Sequence, residues 1–301
     1  MSIGKKIKDI RTEKLMTQSE LSGDEITRNM LSQIENGIAQ PSLSTVRYLA
    51  GKLGVPAGYL LSEGDEEFVY NKIRVMKNIK KAYVDKSFGL CREMCLSSFD
   101  ELDDELELIM TDCCIGEAEE LIREGKLRHA CSHLDEALCH SSQTVYSTVT
   151  QVNRIYVMFH LIKSISPALD SDIIDTDVSW NMLHPSLFGD IFCKYITFTF
   201  GSAEQADAVE SMYINDDVLT EQDRLFIAHI KARFYMAAGE YKKASTVLRS
   251  IIDGNTVPQR LLLYFCCGDM EKCCKEMEDY KAAYEFSNNK MEILEHMLMD
   301  V

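Results

Sequence analysis

The sequence predicts an all-α protein in two parts, a domain of five short helices followed by a longer array of helical hairpins. Its 301 residues include only five prolines and 15 glycines, while 46% are hydrophobic and 27% are charged. So few chain breakers favour long helices over short strands joined by turns. The hydrophobic fraction excludes a disordered chain, and the length exceeds what a single compact core usually fills.

Charge divides the chain near residue 64. The formal net charge is −16, but residues 1–64 carry +1 and the other 237 residues carry −17. Because phosphate backbones are bound mainly by Lys and Arg, the first segment is the better candidate for contact with nucleic acid. We expect a domain over residues 1–64, a linker helix over residues 65–83 and a helical repeat domain over residues 84–301.

The first domain is predicted as five helices whose ends are marked by capping and turn residues. The markers are Thr17 with Glu20, Thr27, Asn36 with Gly37, Pro41 with Ser42, and Val55 with Pro56. Thr followed three residues later by Glu forms a capping box, and Asn-Gly favours the left-handed conformation that ends a helix. The second and third helices are therefore very short and joined by a tight turn, as a helix-turn-helix requires.

The residues of this segment resemble a known family, the XRE (Cro and lambda-repressor-type) DNA-binding domains. The resemblance rests on Thr17-Gln18, Leu21, Leu31 to Gly37, Pro41-Ser42 and Leu53 to Pro56, and it covers about a fifth of the chain. One departure is visible. The stretch between Leu21 and the start of the third helix is one residue shorter than is usual in the family, which predicts a tighter turn.

The resemblance implies that seven polar residues contact DNA. They are Gln18, Thr27, Arg28, Asn29, Ser32, Gln33 and Asn36. Arg can bind guanine O6 and N7 in bidentate fashion, and Asn or Gln can bind adenine N6 and N7. Gln18 is expected at a phosphate or a base edge, Asn36 at a phosphate and the others in the groove. The alternative is a bundle that has lost DNA binding and serves dimerisation or protein docking.

A spacing of 3, 4, 2, 3, 4 and 3 residues occurs twice in the second part of the chain, 114 residues apart. The two sets are Ala118, Leu121, Gly125, Leu127, Ala130, Leu134 and Ala137, and Ala232, Tyr235, Gly239, Tyr241, Ala244, Leu248 and Ile251. Small residues where two helices cross, with Gly at the turn, resemble the tetratricopeptide repeat. Weaker copies are marked by Gly201 with Ala206 and by Tyr280 with Ala283.

The predicted fold is therefore a five-helix lambda-repressor-like domain followed by a tetratricopeptide-like α-solenoid. An unrelated all-α domain with two similar hairpins is the alternative. Together the two parts resemble the Rgg/PlcR-type peptide-sensing transcription regulators. That resemblance implies a homodimer on a pseudo-palindromic operator in double-stranded DNA, with a repeat groove that binds a short peptide. The candidate ligand residues are Asn153, Arg154 and Tyr156.

The predicted function is sequence-specific regulation of transcription, with a protein-interaction scaffold as the alternative and a metal or redox sensor as a third reading. His129, His133, Glu136 and His140 share one helix face near the cysteine pair at 113–114. Two His one turn apart can share a transition metal, but we favour a polar outer face. Cys266, Cys267, Cys273 and Cys274 are interpreted as apolar filler, and no cofactor is predicted.

The sequence contains no phosphate-binding loop, zincin motif or nucleophile elbow, so no enzyme activity is predicted. Its longest apolar run, Leu261 to Cys267, is far shorter than the ~20 residues that span a bilayer. The basic start of the chain is followed by charge instead of an apolar segment, and the 11 cysteines lack regular spacing. We therefore expect a cytoplasmic protein with reduced thiols and no membrane contact.

Overall fold

The structure, a computed structural model, describes residues 2–63, 65–169, 191–200 and 219–299, and these residues form helices and no strand. The all-α prediction is confirmed. The chain divides into two compact units, an N-terminal unit (Met1–Lys81 with Leu96–Asp100) and a C-terminal unit (Ala82–Cys95 with Glu101–Val301). The domain boundaries expected from the sequence remain predictions.

Six helices supply most of the N-terminal unit. They are α1 (Ile3–Glu13), α2 (Gln18–Ser22), α3 (Arg28–Glu35), α4 (Leu43–Leu53), α5 (Ala57–Leu61) and α6 (Asp65–Val84), of which α6 runs on into the C-terminal unit. The predicted capping box is confirmed, since Thr17 and Glu20 each accept the other's backbone N–H. Thr27 caps the start of α3 as predicted. Gly37, at φ +72°, lies just after the C-terminal end of that helix.

The core of the N-terminal unit is mainly apolar. Its fully or nearly fully buried members are Ile7, Ile10, Leu21, Leu31, Ile34, Val46, Leu49, Ala50, Leu53, Tyr59 and Leu60. Lys6 is buried beside them, and its Nζ donates to the carbonyl oxygens of Tyr59 at 3.1 Å and Ser62 at 2.7 Å. A buried ammonium requires such partners. Lys6 therefore joins α1 to the end of α5.

Nine helices are described in the C-terminal unit beyond the end of α6. They are α7 (Phe88–Ser98, shared with the N-terminal unit), α8 (Asp104–Glu124), α9 (Leu127–Gln143), α10 (Val149–Ile165), α11 (Ile191–Phe200), α12 (Glu221–Ala237), α13 (Tyr241–Ile252), α14 (Arg260–Glu276) and α15 (Tyr280–Met299). A 3₁₀ turn, Pro167–Leu169, follows α10. The two hairpins predicted from the repeated spacing are α8–α9 and α12–α13. Gly201 and Ala206 lie outside the described residues.

One turn geometry recurs between helices of this unit. A residue in the left-handed conformation donates its N–H to the carbonyl three residues back, and the next residue donates to the carbonyl five residues back, as in a Schellman motif. The turns are centred on Lys86, Gly125, Gly239 and Glu278. In each case the next helix begins two residues later. Four hairpins therefore share one turn, and two of them use a residue other than glycine.

The last hairpin packs against the α8–α9 hairpin. Arg128 Nε donates to the carbonyl oxygen of Leu298 at 3.1 Å, across 170 residues of sequence. A Cβ placed on Gly125 would lie 2.7 Å from Met297 Cγ, so this glycine is required by close approach as well as by its φ of +84°. Repeats of a simple solenoid contact only their neighbours. Here the core also includes contacts between distant hairpins.

A chain of polar side chains crosses the core of the C-terminal unit. The Tyr195 hydroxyl lies 2.8 Å from His229 Nδ1, and His229 Nε2 lies 2.9 Å from Asp269 Oδ2. Arg233 Nε donates to the same Asp269 oxygen at 2.6 Å. Burial lowers the pKa of His229 below its usual value, against the opposing effect of Asp269. Burial alone would raise the pKa of Asp269, but the His229 hydrogen bond and the Arg233 charge lower it to about 2.

The buried His229 predicts a pH-dependent stability of the C-terminal unit. Its folded pKa lies below the unfolded value near 6.5, so the unfolded state binds more protons and its stabilising contribution is lost as pH falls below about 6.5. We expect the opening free energy of α12 and α14 amides, measured by native-state hydrogen exchange, to decrease from pH 7.5 to pH 5.5 by up to ~1.4 kcal/mol per pH unit.

His229→Gln keeps hydrogen-bonding capacity without titrating, and we expect it to flatten this pH dependence. His129→Gln, at an exposed histidine of α9, serves as the control and should retain the slope. An undiminished slope in His229→Gln would rule out His229 as its source.

Candidate nucleic-acid interface

Helix α3 has one buried face and one open face. Leu31 and Ile34 are fully buried in the core, so the opposite side of the helix points outward. Asn29, Ser32, Gln33 and Asn36 follow each other at i, i+3, i+4 and i+7 and share that side. The exposed residues among the seven predicted contacts are Thr27, Arg28, Asn29, Gln33 and Asn36, while Ser32 and Gln18 are half-buried. Their contacts with DNA remain predictions.

The C-terminal end of α3 is held by a buried carboxylate. Glu35, whose side chain is 2% exposed, accepts from Arg11 Nε at 2.6 Å and from Arg11 Nη2 at 3.1 Å. The hydrogen bond with Glu35 raises the pKa of Arg11. Arg11 Nη1 also donates to the carbonyl oxygen of Met16 at 2.8 Å, in the connection between α1 and α2. This one ion pair therefore joins α1, the following turn and α3.

Gln18, at the start of α2, belongs to the same network. Its Nε2 donates to Glu35 Oε2 at 2.8 Å, which fixes the orientation of the amide. The amide oxygen and the second N–H of this group can still bind a phosphate or a base edge. Thr27 is also engaged, because its hydroxyl oxygen accepts the Met30 N–H at 3.1 Å, while its own O–H can still donate.

The short connection between α2 and α3 depends on a glycine and a tyrosine. Gly23 has φ +51° and ψ −138°, and a Cβ there would lie 2.3 Å from the Tyr48 hydroxyl oxygen. Tyr48 in turn donates to the carbonyl oxygen of Ser22 at 3.0 Å. The tighter turn predicted from the missing residue therefore packs directly on α4. The sequence carries no local signal for the role of Tyr48, because it is 26 residues away.

The candidate ligand residues all lie on α10. Asn153 and Tyr156 are half-buried, and the neighbouring Ile155 and Phe159 point into the core. Arg154 Nη2 donates to Glu119 Oε1 of α8 at 2.6 Å, a pairing that the sequence did not predict. The ligand role of these three residues remains a prediction.

The histidines of α9 are only partly where the sequence interpretation placed them. His129 is exposed, but His133, Glu136 and His140 are half-buried and contact side chains of α7 and α8. The expected polar outer face is therefore wrong for these three residues. The reason is that Glu117 and Glu107 of α8 lie against His133 and His140, and Arg92 of α7 pairs with Glu136, which offsets the desolvation of these groups.

All 11 cysteines are free thiols, as predicted. The two pairs at 266–267 and 273–274 are buried, in agreement with their interpretation as apolar filler, and burial raises the pKa of Cys267 and Cys273 to about 11.

Within the described ranges, no helix is both long enough and apolar enough to cross a membrane.

A short helix, a tight turn and a second helix with an exposed polar face define the N-terminal unit as a lambda-repressor-like helix-turn-helix DNA-binding domain. The helix-turn-helix family matches residues 7–60. The chain is 34% identical over 101 residues to the immunity repressor protein of Bacillus phage phi105, across 30% of this chain and 69% of that repressor. It is 30% identical over 97 residues to the cryptic phage CTXphi transcriptional repressor RstR of Vibrio cholerae, across 31% of this chain and 87% of RstR.

The chain therefore belongs to the helix-turn-helix family of DNA-binding transcription regulators that includes these repressors. Two solved structures align along nearly its full length. They are Bacillus thuringiensis PlcR in complex with the peptide PapR7 and DNA (15% identity, TM-score 0.26, 99% of this chain and 97% of that one) and a PrgX variant (13% identity, TM-score 0.31, 96% and 100%).

Replacing Glu35 tests whether its ion pair positions α3. In Glu35→Gln the half-buried Arg11 loses its counter-charge, and breaking a buried pair costs about 3–5 kcal/mol. We expect loss of most DNA affinity and a lower opening free energy for the amides of α3, measured by fluorescence anisotropy and hydrogen exchange on the full chain.

Glu13→Gln is the matched control. Glu13 lies on α1, is 64% exposed on its side chain and pairs with Arg74 at 3.2 Å, so its loss should cost less than about 1 kcal/mol. Equal effects of the two substitutions would contradict the positioning role of Glu35.

Proposed function

We propose that this regulator acts as a homodimer whose two α3 helices bind base pairs in successive turns of the major groove, and whose C-terminal unit adjusts that binding in response to a short peptide or another small ligand. The observation that carries the first part is the exposed polar face of α3 beside the fixed carboxylate of Glu35. Recognition helices contact bases mainly through their N-terminal residues, which here are Arg28 and Asn29.

The side chains on α3 have the chemistry for direct readout. Arg28 can bind guanine through two N–H groups, and Asn29 or Gln33 can bind adenine, each contact worth about 1–3 kcal/mol of discrimination. Asn36, next to the turn at Gly37, would contact a phosphate. Thr27 and Gln18 flank the start of the two helices, where side chains commonly bind the DNA backbone.

The net charge of the chain favours a dimer whose affinity for DNA comes mainly from specific contacts. Residues 1–64 carry a net charge of only +1, and the rest of the chain carries −17. Non-specific affinity comes from neutralised phosphates, so this chain has little of it. Two half-sites bound together would supply the missing affinity, with their centres about 34 Å apart or a multiple of it.

The ligand proposal rests on α10. Asn153 is half-buried, and its amide has no hydrogen-bond partner within the part of the chain that the structure describes. An Asn side chain can bind both the N–H and the C=O of a peptide backbone. Arg154 and Tyr156 would add a charge and an aromatic surface. A ligand can shift the regulator only if it binds one arrangement of the dimer better than another.

Selection of bound sequences from random DNA with the full chain tests the proposal. We expect an inverted-repeat motif for the wild type. Arg28→Ala should keep the half-site spacing but lose preference at one position in each half-site, with affinity for the wild-type motif reduced about 5- to 150-fold. Arg74→Ala, at a half-exposed arginine of α6, is the control and should select the wild-type motif.

Absence of any enriched motif would refute sequence-specific regulation and favour a protein-interaction scaffold. If Arg28→Ala selects the same motif as the wild type, base recognition does not depend on the first turn of α3.

A further inference from the structure

Helices α8 and α9 bring a thiol, a carboxylate and an imidazole to one point. One ligand atom each from Cys114, Glu136 and His140 all lie within 4.8 Å of one another. Glu136 and His140 are one turn apart on α9, with His140 Nε2 3.7 Å from Glu136 Oε1, and Cys114 faces them from α8. Ligand atoms around a tetrahedral zinc ion are about 3.3–3.7 Å apart, given bonds of 2.0–2.3 Å. The three groups therefore have nearly the required spacing.

The remaining nitrogen of His140 is already oriented. Its Nδ1 lies 2.5 Å from Glu107 Oε2, and both side chains are less than a fifth exposed. A carboxylate that accepts the Nδ1 proton leaves the lone pair on Nε2, which is the nitrogen nearer Glu136. Histidines that bind metals usually have such a carboxylate or carbonyl behind them. Glu107 is therefore in the position of an orienting residue for a metal ligand.

The local charge also favours a cation. Glu107, Glu117 and Glu136 lie around this point, and Arg92 contacts Glu117, Glu136 and the Cys114 thiol. Arg92 Nη2 lies 2.5 Å from the Glu136 carboxylate, and its Nη1 lies 3.7 Å from Glu117 Oε2. Arg92 Nη2 contacts both Glu136 oxygens, so a metal that binds Glu136 through Oε1 would leave Arg92 on Oε2 alone or move it toward Glu117.

We propose that Cys114, Glu136 and His140 form a binding site for a transition-metal ion of the zinc class, with Glu107 orienting His140. The combination of sulfur, nitrogen and oxygen ligands suits zinc, whereas magnesium and calcium require oxygen ligands alone. On binding, the Cys114 thiol releases its proton to water and the thiolate sulfur joins the metal. Glu136 and His140 are partly exposed, which gives the ion a path in and leaves room for water as the fourth ligand.

The test is titration of the reduced full-length protein with Co²⁺, which replaces zinc and reports its ligands by colour. We expect one equivalent to bind with an intense thiolate-to-cobalt charge-transfer band and the visible bands of a tetrahedral ion. Cys114→Ser should abolish the charge-transfer band. Cys139→Ser, at the exposed cysteine of α9, is the matched control and should keep it.

Two further variants make the result independent of how Cys114→Ser folds. His140→Gln should weaken Co²⁺ binding at least tenfold, and Glu107→Gln should weaken it about 10- to 100-fold through loss of orientation. Glu120→Gln, at an exposed carboxylate of α8, should have no effect. No charge-transfer band in the wild type, or a band that survives both Cys114→Ser and His140→Gln, would overturn the proposal.

Discussion

The buried carboxylate of Glu35 is the interaction on which the DNA-binding unit depends. It lies on the helix that presents the polar face, and it is bound by Arg11 from α1 and Gln18 from α2. A carboxylate removed from water must keep its charged partner, so α3 cannot rotate without losing this pair. The hydrophobic core gives α3 a buried side, and the ion pair fixes which residues of the other side face outward.

The C-terminal unit depends on a different local constraint, the repeated left-handed turn. Where Gly125 and Gly239 occupy it, the conformation costs little, but Lys86 and Glu278 adopt it at the expense of about 1–2 kcal/mol of strain. The hairpins that they connect must therefore supply that energy through packing. Because the last hairpin also contacts α8–α9, the unit has long-range contacts that resist separation of its repeats.

The sequence predicted those features whose signals are local. Capping by Thr17 and Thr27 and the glycine turn at Gly239 each follow from a few adjacent residues, and the structure confirms them. It missed the partners that are distant in sequence, such as Glu35 with Arg11, because composition and spacing carry no information about which side chains meet. It also missed the turn at Lys86, since a lysine gives no sign of a left-handed backbone.

Hydrogen exchange of the full chain with and without its selected operator tests the central claim, that α3 is the element that contacts DNA. The account predicts that operator binding slows exchange at the backbone amides of residues 27–37 and at the start of α2. Slowed exchange confined to the C-terminal unit, with residues 27–37 unchanged at saturating DNA, would contradict it.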